Sequence, residues 1–237
     1  LHSETVGSPS YKSDGWLIND IEQRYVYGNA GLNWQIADNH SVGVKAEYGH
    51  TLSLDQNQVL YNNMLRDGSP YDETTTLGTY HIGDKAPSSL SANAYYNGQA
   101  GKLGIDLNVD LYKMKKSEAN DITEINEKTK EENLLHTDNG TDSDLYASKL
   151  VFSYPVWQGQ LQFGTEETFS RISDSYSITG TSIAPAESKV SEDNIAAFAS
   201  YAFVLPKFGQ ISAGLRYEHV NYSFTDVLGD GSDSRKY

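Results

Sequence analysis

The chain has 237 residues, a mass of 26.2 kDa and a formal net charge of -14. That acidic balance excludes a broad duplex nucleic-acid interface, which needs a basic stripe to displace counterions. The absence of cysteine excludes a disulfide scaffold, a thiolate zinc site and a cysteine nucleophile. Tyr accounts for 17 residues against 7 Phe and 3 Trp, a wealth of amphipathic rings foreign to a disordered acidic tail. No stretch approaches the roughly 18 consecutive apolar residues of a spanning helix. Leu1-His2-Ser3-Glu4 has neither the basic end nor the apolar stretch of a leader, and no initiator Met. The expectation is a processed protein or a piece of a longer one.

In chain order, residues 1–23 mix Ser, Pro, Gly and Asp with Trp16, Leu17 and Ile18 and read as a loop-like entry. Period-2 alternation then sets in. Residues 24–54 form a first hairpin around Ala37-Asp38-Asn39-His40, with Leu32 and Trp34 facing the same way as Val42, Val44 and Tyr48. Residues 89–114 form a second, in which Leu103, Ile105, Leu107, Val109 and Leu111 alternate with Gly104, Asp106, Asn108 and Asp110. Residues 144–171 fold around Trp157-Gln158-Gly159, and residues 194–224 around Lys207-Phe208-Gly209. Gly or Asn in each turn supplies the backbone freedom tight hairpins need. The links 55–88, 115–143 and 175–193 are long and polar and read as loops. The prediction is one unit, 1–237: an all-β, antiparallel up-and-down meander of about eight long strands, part of a transmembrane β-barrel. Short turns at one end and long polar connections at the other are the pattern of such barrels.

Ring placement agrees. Trp34, Tyr96, Tyr154, Phe163 and Phe203 lie on apolar faces near the short turns, with Trp157 and Phe208 in or beside them. Tyr48, Tyr146, Phe169 and Tyr217 lie toward the long links. Two bands of rings fit the aromatic girdles of a membrane barrel.

The stretches Ser91–Tyr112, Leu145–Arg171 and Ala196–Tyr222, and most specifically Gly214-Leu215-Arg216-Tyr217-Glu218, resemble the barrel of TonB-dependent outer-membrane receptors of the Bacteroidetes type. The resemblance covers 89–224 and, more loosely, 24–54. It implies a bacterial outer-membrane location, a barrel of about 22 strands with a plug domain in the lumen, and uptake of a small substrate powered by the TonB complex of the inner membrane. The chain departs from that pattern in its eight strands, in having no plug ahead of them, and in ending on a polar stretch, Gly231 to Tyr237, that reads as a loop. An internal piece of the barrel is the resulting expectation.

On the alternating scheme Lys45, Glu47, Asp106, Asp110, Lys149, Glu166, Arg216 and Glu218 point away from the apolar face, toward the lumen of a barrel. The bland alternative is a solvated face with weak ion pairs. Asp138 to Asp144 lacks the spacing of a calcium loop. The six His, among them His50, His136 and His219, do not sit at metal-ligand spacing, and there is no Gly-x-Ser-x-Gly elbow. No cofactor, metal or catalytic residue is therefore expected, and an enzyme is the least supported class. The partners implied are outer-membrane lipid, a plug with its TonB complex, and a substrate the sequence does not identify. Two other readings stay open: a plug-less outer-membrane pore or structural barrel, and a soluble surface β-sandwich that binds sugars through its Tyr and Trp.

Overall fold

The computed structural model describes residues 1–205, 209–229 and 231–236. They form a single antiparallel sheet of eleven strands, with no helix among the described residues. The strands are β1 (His2–Thr5), β2 (Tyr11–Ala37), β3 (His40–Arg66), β4 (Ser69–Ile82), β5 (Ser88–Ala100), β6 (Leu103–Asn126), β7 (Glu132–Val156), β8 (Gly159–Thr179), β9 (Ala186–Leu205), β10 (Gly209–Asp226) and β11 (Ser232–Lys236). β4 and β5 lie end to end and both pair with β3 and β6, so they share one place in the sheet. β2, β3, β4 with β5, and β6 to β10 thus fill eight long positions, while β1 and β11 add short outer pieces.

The predicted hairpins are present, and they are longer than expected. The links 55–88, 115–143 and 175–193 are mostly strand, because β3, β6, β7, β8 and β9 run far past the apolar segments. Residues 11–23 belong to β2 and residues 2–5 to β1, so the loop-like entry is corrected as well. Ser232–Lys236 is a strand paired with Asn221–Thr225 of β10, not a polar loop. The physical reason is common to all three. A ladder of backbone hydrogen bonds holds a strand whatever its side chains, and alternation marks it only where one face must be apolar. Asn120 and Thr137 illustrate this: they are buried in the β6–β7 extension, and the Asn120 amide donates to Thr137 Oγ1 at 3.0 Å. Asp67 and Gly68, at φ 48° and 75°, close the β3–β4 hairpin. Positive φ at both central residues is what an Asp-Gly hairpin turn requires.

Being one layer, the sheet has almost no core. Among the described residues, Ala119 and Ala196 are the buried apolar ones, and no large side chain is fully buried. Large apolar residues such as Leu32, Trp34, Leu215 and Tyr217 are exposed. β2 and β10 pair with no neighbour along most of their outer sides, so the described sheet is open.

Its hairpins are staggered by a constant step. His40 of β3 pairs with Gly98, and β5 runs two residues further, to Ala100. Gly104 pairs with Ser153; β6 then runs one residue further and β7 three, to Val156. Gly159 pairs with Phe203, and β9 runs two residues further, to Leu205. Each tight turn is thus displaced by two residues for every two strands. One residue per strand, at about 3.3 Å rise and about 4.8 Å spacing, inclines the strands by about 35° to the line of turns. That is the tilt of a barrel wall.

Two irregularities sit at one height. In β3, Leu52 is an extra residue, because Thr51 pairs with Tyr25 and Ser53 with Arg24. Between β4 and β5, residues 83–87 leave the ladder. There Gly83 N donates to Ser117 O at 3.0 Å, Ser117 N to Lys85 O at 2.9 Å, and Thr51 N to Pro87 O at 2.8 Å.

Candidate functional site

Direct cross-strand partners share a face of the sheet, so register decides which side chains meet. Lys45 pairs with Asn93 and Asn93 with Asp110; Asn108 pairs with Lys149, Lys149 with Glu166, Glu166 with Ala196, and Ala196 with Glu218. Glu47, Asp106 and Arg216 fall on the same face by alternation. All eight candidates therefore lie on one polar face. That face is concave toward the short turns, where a cavity of about 720 Å³ extends from Ser41 on β3 past Asn97, Asp106, Lys149 and Gln162 to Phe198 on β9.

Six of the eight candidates are ion-paired, on β3, β7, β8 and β10. Arg216 Nη1 lies 3.0 Å from Glu166 Oε2, and its Nε lies 3.3 Å from Glu218 Oε2. Lys149 Nζ lies 3.6 Å from the same Glu166 oxygen and 5.8 Å from the centre of the Phe198 ring. Asn194 Nδ2 donates to Glu218 Oε1 at 2.5 Å. Lys45 and Glu47, adjacent on one face of β3, form a separate pair. Asp106 and Asp110 differ in kind, since amides hold them: Asn97 Nδ2 donates to Asp106 at 3.0 Å, and Asn93 Nδ2 to Asp110 at 2.7 Å and to Asn108 at 2.6 Å. The arrangement can hold water, a polar solute or a polar protein surface. It does not assemble a nucleophile with a base, and no group of three or more His, Asp or Glu poised for a metal occurs among the described residues.

Asn194 and Phe198 are the residues sequence reasoning missed. Their even positions in β9 mark them for the polar face, but Phe198 stands inside Ala196-Ala197-Phe198-Ala199 and passes there for part of an apolar run.

The opposite face is apolar. Leu107 pairs with Leu150, Phe152 with Phe163, Tyr154 with Leu161, Leu161 with Tyr201, and Phe203 with Ile211. Trp34, Tyr154 and Phe203 each stand two or three residues before a tight turn, and Tyr96 four. Trp157 lies in the β7–β8 turn at φ 51°, almost wholly exposed. Phe163 stacks on Phe152 with ring centres 5.3 Å apart. Phe208 and Lys207 lie outside the described residues. Toward the extensions the apolar side chains end at Leu111, Tyr146 and Phe169, followed on the same face by Lys113, Asp144 and Arg171. Tyr154 and Tyr146 are eight residues apart on β7. At a 35° tilt this is about 22 Å along the barrel axis, close to the roughly 25 Å apolar band of outer-membrane barrels.

A tilted antiparallel sheet with one apolar and one charged face is the wall of a β-barrel that crosses a membrane. The chain belongs to the outer membrane protein beta-barrel family, whose model matches residues 97–237. Membership implies the bacterial outer membrane as its location. Comparison with curated proteins and with solved structures gave no match.

Proposed function

We propose that the chain is a wall segment of a TonB-dependent outer-membrane receptor, with its polar face lining the lumen against a plug and the path of a small solute. The observation that carries this reading is the open sheet. In hydrocarbon, every backbone N–H and C=O needs a partner within the protein, and an open edge is not tolerated. The unpaired sides of β2 and β10 cross the apolar band, so in a membrane further strands must pair with both. The eight positions are then an arc of a wider barrel, and wide barrels are those that enclose a plug. The ion pairs among Lys149, Glu166, Arg216 and Glu218 and the amide-held Asp106 and Asp110 offer such an inserted domain polar contacts rather than a reactive centre. The reading includes no catalytic role. By the barrel pattern, the short turns face the periplasm and the long extensions the outside.

The test is made on the full-length parent protein. Recovery in the outer-membrane fraction, a heat-dependent shift in gel mobility, and solute uptake that stops when the inner membrane is de-energised are the expected results. Uptake that persists without energy assigns the barrel to passive pores. Recovery in a soluble fraction overturns both.

A further inference from the structure

We propose that the apolar face carries a binding site for a phosphorylated lipid, with an acyl chain in a groove across β2, β3, β5 and β6 and the phosphate against Lys113 and Lys115. The inference rests on the reading that this face meets the membrane. The groove has a volume of about 530 Å³. Ala30 pairs with Ala46, Ala46 with Ala92, and Ala92 with Leu111, so one register row is low across three strands and walled at its end. Leu32 and Val109 also line it.

Cations lie past its Leu111 wall. Beyond Leu111, the next residues on the same face of β6 are Lys113 and Lys115, paired in register with Leu90 and Ser88. Ser88 pairs in turn with His50 of β3, whose Nδ1 has no hydrogen-bond partner. The Lys115 side chain takes part in no ion pair or hydrogen bond among the described residues. Lys113 Nζ lies 5.6 Å from the centre of the Tyr146 ring and only loosely, at 3.4 Å, from Asp144. Two other cations nearby are taken up by carboxylates: Lys85 holds Asp142 at 2.6 Å and Arg171 holds Asp193 at 2.6 Å. Lys115 is thus a cation without a carboxylate partner in a chain of net charge -14, and it lies with Lys113 past the Leu111 end of the groove. Among the described residues, the other border of the apolar face has Trp34, Tyr154 and Phe203, with one lysine nearby, Lys102 in a turn. An apolar groove bordered by Lys113 and the carboxylate-free Lys115 matches a lipid with an exposed phosphate, and the place of these lysines past Leu111 assigns it to the leaflet on the side of the strand extensions. Basic clusters at a membrane border attract anionic headgroups with about 1 kcal/mol per Lys or Arg. By the pattern of outer-membrane barrels that leaflet is the outer one, and the occupant is its phosphorylated glycolipid.

The full-length protein in neutral detergent is titrated with bis-phosphorylated lipid A, with phosphatidylethanolamine and with inorganic phosphate. The expected result is saturable binding of lipid A, little of phosphatidylethanolamine, and no competition by inorganic phosphate at equal concentration. Lys113→Ala with Lys115→Ala weakens binding on the order of thirtyfold, as the loss of two such cations predicts. Lys113→Arg with Lys115→Arg retains it. Ala92→Leu, which fills the groove and leaves the charges, weakens binding as well, and Lys102→Ala changes nothing. A heat-dependent mobility shift shows that each variant is folded. Wild-type affinity in both the double-alanine and the Ala92→Leu protein overturns the proposal, as does equal binding of phosphatidylethanolamine or displacement by inorganic phosphate. A parent absent from the membrane fraction defeats the barrel reading itself, whereas unaltered lipid binding by a membrane-inserted protein defeats only this site.

Discussion

Arg216 on β10 reaches Glu166 on β8, two strands away, by passing over Ala196 on β9. Ala196 pairs directly with Glu166 on one side and with Glu218 on the other, and it is 1% exposed. A larger side chain there stands in the path of the guanidinium. Ala196→Leu is expected to separate Arg216 from Glu166 and to destabilise the wall by about 1–3 kcal/mol through overpacking. Urea unfolding of the full-length protein in vesicles measures the loss. Glu166→Gln, which keeps the shape and removes the charge, is expected to have a much smaller effect, because the pair is well hydrated.

Alternation predicts opposite outcomes for neighbouring residues on β6. Leu107 lies mid-band on the apolar face, between Tyr96 and Leu150. Leu107→Arg is expected to cost about 2–4 kcal/mol of stability in a bilayer. Asn108→Arg, on the polar face beside Lys149, is expected to be tolerated. The same unfolding assay compares the two, and equal effects would mean that the faces are assigned wrongly.

The three tryptophans report height. Trp34 stands near a tight turn and Trp157 within one, whereas Trp16 stacks on Tyr61 with ring centres 5.7 Å apart in the β2–β3 extension. In single-tryptophan variants of the full-length protein, lipids brominated along their chains are expected to quench Trp34 strongly, Trp157 less, and Trp16 not at all. Quenching of Trp16 would place the extension within the bilayer.

In the β6–β7 extension, His136 is held from both sides. Its Nδ1 lies 2.7 Å from Asp121 Oδ1 and its Nε2 lies 3.1 Å from Asp138 Oδ2. The hydrogen bond to Asp121, followed by the nearby Asp138 charge, raises its pKa above the ordinary value of 6.5. The imidazolium is thus favoured in the folded state. Its stabilisation is fully present below about 6.5 and is lost as the pH rises through the higher folded value. Amide hydrogen exchange across 119–138, corrected for the intrinsic pH effect, is expected to show weaker protection at pH 8 than at pH 6. His136→Asn is expected to abolish the difference.

How far the sequence could be read follows from where a period was enforced. Leu103 to Leu111 must keep one face apolar, so strict alternation exposes both the strand and the faces of Asp106 and Asp110. Asn120, Thr137 and Ser177 have no such face to keep, and their strands pass for loops. Residues 55–88 were harder still, because the extra Leu52 reverses which parity faces outward within β3. Asp67-Gly68 is a hairpin signal in that stretch, but no alternating residues flank it. Alternation also assembled the eight polar-face residues. It could not show that Arg216 bridges to Glu166 while Asp106 has only amide partners, since that depends on register between strands far apart in the chain.

The extra Leu52 and the departure of residues 83–87 compensate one another. Against β2, strand β3 gains one residue at this height. Against β6, the β4–β5 position gains three, since residues 83–87 stand opposite Lys116 and Ser117 alone. Both gains are odd, so both inner strands swap parity, while β2 and β6 on either side keep theirs. A phase error is thereby created and cancelled within two neighbouring strands, and it stays local to them. The extensions and the membrane-crossing band are consequently decoupled along this seam. Two residues added to 83–87 leave every side chain of β5 on its own face, whereas a single added residue must be absorbed in that segment or it turns Ala92 and Ala94 inward and Asn93 toward the lipid.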